Sequence, residues 1–172
     1  MTWNVWWRFG DWEPRQAAIL RTLENLEADV VCLQEVWSAE TGEDQAKELA
    51  MALGMHYVRT PERWWKGYSF GNAILSKYPI TESESTQLPP IDGPGARWAL
   101  SALLDRDGSE IPVICTHLDH RFDQSRRRQE QITAIFDLIA ARHVPEQHPV
   151  VLAGDFNSTP NSDEIRMITG EA

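Results

Sequence analysis

Three apolar runs in this chain end on polar side chains of the kind that hold cations and anions. Pro149-Val150-Val151-Leu152-Ala153-Gly154 leads into Asp155, with Asn157 two residues on. If the backbone stays extended there, both side chains point the same way, because side chains alternate along a strand. A carboxylate and an amide would then sit together at the carboxyl end of a buried strand, where open α/β sheets place their ligands. The competing reading is a turn, since Asp and Asn followed by Ser-Thr-Pro are good turn formers. Asp29-Val30-Val31-Cys32-Leu33-Gln34 ends on Glu35, and Ile111 to Thr116 ends on His117. Alone, a strand-end Glu is ordinarily exposed or capping, and a lone His there is ordinarily structural. Two carboxylates on parallel strands point instead to a hard cation such as Mg²⁺, which is held by one or two carboxylates with water and phosphate oxygens. His117-Leu118-Asp119-His120 could suggest zinc, but no matching Cys/His set follows at a usual ligand spacing. Asn4 interrupts the strand-like Thr2-Trp3-Asn4-Val5-Trp6-Trp7, and a buried amide needs partners, which neighbouring backbone can also supply.

The segments that must position these groups can be read from periodicity and punctuation. Asp11 to Ala28 reads as a helix, with Asp11 able to cap it, Pro14 in its first turn and a stripe of Ile19, Leu20, Leu23 and Leu26. Thr41 to Leu53 reads as a second helix, stopped by Gly54. This opening alternation of strand and helix indicates a sheet covered by helices. Beyond it, Met55 to Arg59, Gly71 to Ser76, Ile80 to Leu88, Arg97 to Asp105 and Glu110 to His117 read as successive strands, hence mainly antiparallel. Turns are expected at Tyr78-Pro79, over Pro89 to Gly95 and at Asp107-Gly108. The segment Trp64-Trp65-Lys66-Gly67-Tyr68 reads as a loop, serving either as a substrate rim or as aromatic packing. Gln124 to Arg142 is expected to be a long helix with Ile132, Ile135, Phe136 and Ile139 inward and Arg126-Arg127-Arg128 on a solvated surface, with one arginine facing an anionic ligand as the alternative. The run from Pro149 to Ala153 reads as a strand buried on both faces, and Ser162 to Ile168 as a short helix.

Length and composition narrow the classes. The chain has 172 residues, 42% of them hydrophobic, enough for a real core in one domain. A formal net charge of -10 disfavours charge-driven duplex binding but leaves room for a local basic groove. Cys32 and Cys115 both lie in apolar runs and read as buried free thiols. No signal-like leader and no apolar run of membrane-spanning length is present, which points to the cytoplasm, with secretion the alternative where a leader is removed. Oligomeric state is not legible.

Trp-Asn-Val-Trp, Leu-Gln-Glu-Val, Gly-Asn-Ala-Ile-Leu-Ser, Thr-His-Leu-Asp-His and Gly-Asp-Phe-Asn-Ser-Thr-Pro occur here in that order over nearly the whole chain. Together they resemble the endonuclease/exonuclease/phosphatase superfamily of DNase-like metal-dependent phosphoesterases. The resemblance implies a four-layer α/β sandwich of two packed mixed sheets flanked by helices, and Mg²⁺- or Mn²⁺-dependent phosphoester hydrolysis. It implies Glu35 as principal metal ligand, with Asn4 beside it in the metal and nucleophile network. Asp155 would orient or activate the attacking water, Asn157 would bind a phosphate oxygen, and His117 would donate to the phosphoryl group. Arg97 matches more loosely as a phosphate-binding arginine, and Asn72 would support the strands around the site. The substrate would be a small phosphodiester or monoester, or alternatively DNA or RNA.

The same resemblance carries a departure. Members of the superfamily continue through further strands to a Ser-Asp-His motif that bears a catalytic histidine, whereas this sequence ends at Ala172. None of His56, His120, His143 or His148 stands in the matching context. The expectation is therefore an incomplete domain lacking part of the second sheet, with an unpaired sheet edge and weak or no activity alone. A non-catalytic phosphate- or metal-binding scaffold is the alternative of another class.

Overall fold

Along the buried runs, odd and even residues are sent to different cores, and this sets the layering. In β2 (Val30–Ala39), Val31 and Leu33 face one core while Cys32 faces another. In β7 (Ser109–His117), Val113 and Cys115 share the core of Cys32, and Ile114 lies in a third. Strands covered on both faces must be apolar at every position, which is why these segments read as continuous runs.

The computed structural model describes residues 1–90, 96–142 and 149–171. The remaining elements are β1 (Thr2–Asn4), α1 (Trp12–Leu26), α2 (Gln45–Leu53), β3 (His56–Arg59), β4 (Tyr68–Ser76), β5 (Ile80–Leu88), β6 (Arg97–Arg106), α3 (Ser125–Arg142), β8 (Val151–Asp155) and α4 (Asp163–Thr169). Two mixed four-stranded sheets result, in the orders β1-β2-β4-β3 and β5-β6-β7-β8. β1 runs parallel to β2 and β8 parallel to β7, while the other pairings are antiparallel. Ile19 and Leu23 of α1 and Ala46, Leu49 and Ala50 of α2 pack on the outer face of the first sheet. Cys32, Ile74, Leu100, Ala102, Leu104, Val113 and Cys115 fill the space between the sheets. Ile132 and Ile135 of α3, with Met167 and Ile168 of α4, cover the outer face of the second. The order helix, sheet, sheet, helix is the expected four-layer α/β sandwich. Both cysteines are free and buried.

Several boundaries differ from the sequence reading. β1 ends at Asn4, because Trp6 and Trp7 turn the backbone at φ 62 and 40. β2 continues past Glu35 to Ala39, and α2 starts only at Gln45, where the Asp44 side chain accepts from the Lys47 N–H. Asp11 holds the cap position of α1 without making a side-chain cap bond. β4 begins at Tyr68 and so takes in the end of the aromatic segment read as a loop. Leu26 (56% exposed) and Phe136 (36%) lie off their helices' buried stripes. β8 is not buried on both faces: among the described residues it lies at one edge of its sheet, and Val151 is 49% exposed. Most of the Pro89–Gly95 turn, and His143 and His148, lie outside the described residues. Among the described residues no helix is long and apolar enough to cross a membrane.

Candidate functional site

Two parallel strand pairs, one from each sheet, deliver four polar side chains to one place. Asn4 ends β1 and Glu35 lies beside it on β2, while His117 and Asp155 are register partners at the ends of β7 and β8. Alternation alone would send Glu35 to the helix side with Leu33. A bulge between Gln34 and Val36 prevents this, with Glu35 as the extra residue at φ 58. Val36 then resumes the helix-side face, and the Glu35 carboxylate meets Asn4. A left-handed backbone on a non-glycine residue is strained, and such strain gathers at functional sites.

Asn4 ties the sheets together. Its Nδ2 donates to Glu35 Oε1 at 3.1 Å and to Asp155 Oδ2 at 2.9 Å, and its Oδ1 accepts from the Trp6 N–H at 2.9 Å. His117 Nε2 lies 3.7 Å from Asp155 Oδ2 and 4.0 Å from Glu35 Oε1. Burial pushes the His117 pKa down to about 3, Arg97 adds to this, and Asp155 opposes it, so the ring is neutral at pH 7. Two buried atoms here have no hydrogen-bond partner among the described residues, Glu35 Oε2 and His117 Nδ1.

Asp155 and Asn157 are not extended neighbours, because the strand stops at Asp155 and Asn157 has φ 49. The backbone therefore follows the turn reading at Asn157, while Asp155 stands at the strand end beside Asn4. Asp155 Oδ1 accepts from the Asn157 N–H at 3.0 Å, and Asn157 Nδ2 donates to Leu118 O at 3.0 Å, locking the β8 turn to the loop after His117. Gly154 allows close approach to the neighbouring strand, since a Cβ there would lie 2.2 Å from Thr116 O. A cleft of about 570 Å³ opens between β1 and β8, lined by Thr2, Trp3, Asn4, Gln34 and residues from Gly154 to Ser158.

Arg97 reaches the rim, with Nη2 2.9 Å from His120 Nδ1. Burial lowers its pKa, against the opposing pull of Asp119, Glu35 and Asp155. Asp119 pairs with Arg121 at 2.7 Å and Arg127 at 3.3 Å, and hydrogen bonds from Arg121 hold its carboxyl well below the usual range. Asn72 Nδ2 donates to Trp98 O at 3.2 Å, linking the two sheets behind the site.

Among the described residues, no three His, Cys, Asp or Glu side chains gather to hold a metal ion. The donors that are present nevertheless suit a hard cation. Glu35 Oε2 is a buried carboxylate oxygen without a partner, Asp155 lies across the shared Asn4 amide, and such cations complete their shells with water and substrate oxygens. Sequence reasoning missed one neighbour of this group, Phe70, and named His120 without giving it a role there. The Phe70 ring lies 6.2 Å from that of His117. Starting β4 at Tyr68 would have revealed it, since Phe70, Asn72 and Ile74 then share the face turned to the second sheet.

The model of the Endonuclease/Exonuclease/phosphatase family matches residues 1–171. YbhP, an uncharacterized protein of Escherichia coli (strain K12), is 30% identical over 148 residues, covering 78% of this chain and 56% of its own length. The chain thus spans just over half of that relative. The mannosyl-6-phosphatase of Bacteroides thetaiotaomicron superposes with a TM-score of 0.80 at 19% identity, over 99% of this chain and 69% of that one. D. rerio TDP2, solved with a single-strand DNA product, gives a TM-score of 0.77 at 22% identity, over 98% and 63%. Likeness at these identities shows a shared fold.

Proposed function

The chain belongs to the Endonuclease/Exonuclease/phosphatase family, and on that premise we propose that it hydrolyses phosphoesters with the help of Mg²⁺ or Mn²⁺. The observation that carries this reading is Glu35 on a strained bulge, its Oε1 bonded to Asn4, its buried Oε2 without a partner among the described residues, and Asp155 and His117 facing it from the other sheet. Glu35 would hold the cation, with Asn4 beside it. A divalent ion bound there supplies Lewis-acid stabilisation of the charge on the phosphoryl and leaving oxygens. Asp155 orients the attacking water and accepts its proton as the new P–O bond forms and the bond to the leaving oxygen breaks. Asn4, which donates to Asp155 Oδ2, fixes the direction of that carboxylate. Neutral His117 donates to a phosphoryl oxygen, and Asn157 and Arg97 bind the remaining phosphate oxygens. Relatives of the fold include a mannosyl-6-phosphatase and a protein solved with single-strand DNA, so the fold itself accommodates both small and polymeric esters.

The test is hydrolysis of bis-p-nitrophenyl phosphate and of plasmid DNA with Mg²⁺, Mn²⁺ or EDTA, by the chain and by its Glu35→Ala variant. Turnover that needs metal and falls at least about a hundredfold in the variant supports the assignment. Metal binding without turnover on either substrate would favour a non-catalytic phosphate-binding scaffold.

A further inference from the structure

From the His117 ring a chain of aromatic side chains runs outward over the surface. Phe70 lies 6.2 Å from His117 between ring centroids, Trp7 6.5 Å from Phe70, Phe9 5.2 Å from Trp7, and Trp6 6.0 Å from Phe9. Three of these rings are turned to solvent, Trp6 at 54% exposure, Phe9 at 46% and Phe70 at 39%. Large rings left exposed side by side forgo the burial that would otherwise favour folding them inward.

Phe70 stands on β4, and the loop that carries Trp6, Trp7 and Phe9 is held in place. Arg15 donates through Nη1 to Phe9 O at 2.9 Å and through Nη2 to Trp6 O and Trp7 O, both at 3.0 Å. Trp7 Nε1 donates to Ser69 O at 2.8 Å, and the Trp6 N–H is bound by Asn4 of the site itself. Trp6 and Trp7 both have left-handed backbones, at φ 62 and 40. A strained segment braced by one arginine on three carbonyls fixes the rings before any ligand arrives. One guanidinium lies against the ladder itself, Arg15 at 5.0 Å over Trp6, while Arg8 lies 3.8 Å over Tyr68, whose ring is 6.3 Å from Trp7.

We infer that this ladder is a stacking platform for a nucleobase, so that the substrate is a nucleotide or the end of a single-stranded nucleic acid. The inference rests on the proposed phosphate position at His117 and adds the group attached to that phosphate. Exposed, tilted rings with a guanidinium against one of them suit a flat, polar-edged base on an anionic backbone. An acyl chain would call for an enclosed apolar groove instead.

The experiment is calorimetric titration of the whole chain, in Mg²⁺, with adenosine 5′-monophosphate, ribose 5-phosphate and dihexanoyl phosphatidylcholine below its micellar concentration. The same titrations are run on a Trp6→Leu/Phe9→Leu variant whose folding is checked by circular dichroism. The nucleotide is expected to bind about tenfold or more tighter than the sugar phosphate, and the variant to lose that margin while binding ribose 5-phosphate unchanged. Equal affinities, a margin that survives in the variant, or preference for the lipid would each overturn the platform and leave the phosphate site standing. Failure of both phosphates to bind would overturn the phosphate site and the platform with it.

Discussion

At Glu35, strain and chemistry are separable by experiment. Glu35→Gly and Glu35→Ala delete the same carboxylate, but only glycine accepts φ 58 without a clash. In EDTA, Glu35→Gly should therefore be about 1 kcal/mol more stable than Glu35→Ala in urea unfolding; equal midpoints would show that the bulge is not strained. Asp119 offers a second test. Its pairs with Arg121 and Arg127 hold its folded pKa below its unfolded one, so its contribution is present above the unfolded value of roughly 4 and fades as pH falls toward the folded one. Asp119→Asn should lose about 1–3 kcal/mol at pH 7. That gap should shrink in unfolding curves taken at progressively more acid pH below 4, and a gap independent of pH would refute the pairing. The positions of Glu35, His117 and Asp155 were legible because each ends an apolar run. The left-handed backbone at Glu35 was not, because no glycine or asparagine signals it.

At the level of elements, the least legible part is the outer helix layer on the second sheet. Arg126-Arg127-Arg128 reads as a solvated run, yet Arg128 is only 5% exposed and donates through Nε to Glu164 Oε1 at 2.9 Å, while its Nη1 reaches Asp119 O and Arg121 O. Charge composition in one helix cannot show that a later helix buries the opposite charge against it. This pair joins α3 to α4 and braces the loop that follows His117. Arg128→Met, which strands Glu164 in the interior, should destabilise by about 3–5 kcal/mol. The Arg128→Met/Glu164→Leu double variant should recover most of that loss. Chemical unfolding of the two variants decides it, and a double variant no better than the single one would mean that the bonds to the Asp119 and Arg121 carbonyls, not the ion pair, carry the stability. The strand β8 teaches a related lesson. Its apolar sequence is that of a strand covered on both faces, but its place at the sheet edge, which is a matter of topology, leaves Val151 half-exposed.

For the whole molecule, a helix-covered sheet followed by antiparallel strands was legible in the order of elements, whereas the four layers were implied by the family resemblance alone; in the structure consecutive residues of β2, β4, β6 and β7 feed different cores. Which strands lie side by side was not legible, because period-2 patterning carries no information about neighbours. That neighbourhood is what makes the site a property of the whole fold. Asn4 and Glu35 come from one sheet and His117 and Asp155 from the other, and among these four the Asn4–Asp155 hydrogen bond crosses between sheets. A cation held at Glu35 would bind only when both sheets are assembled, so its binding free energy adds to global stability. At a hundred times its dissociation constant this amounts to about 2.7 kcal/mol, a rise in Tm of roughly 5–10 °C for a chain of this size. Thermal melts in saturating Mg²⁺ or Mn²⁺ against EDTA should show that rise in the unaltered chain and lose it in Glu35→Ala. A rise of the same size in Glu35→Ala would place the cation elsewhere on this acidic surface, and no rise in either protein would remove Glu35 from the role of metal ligand.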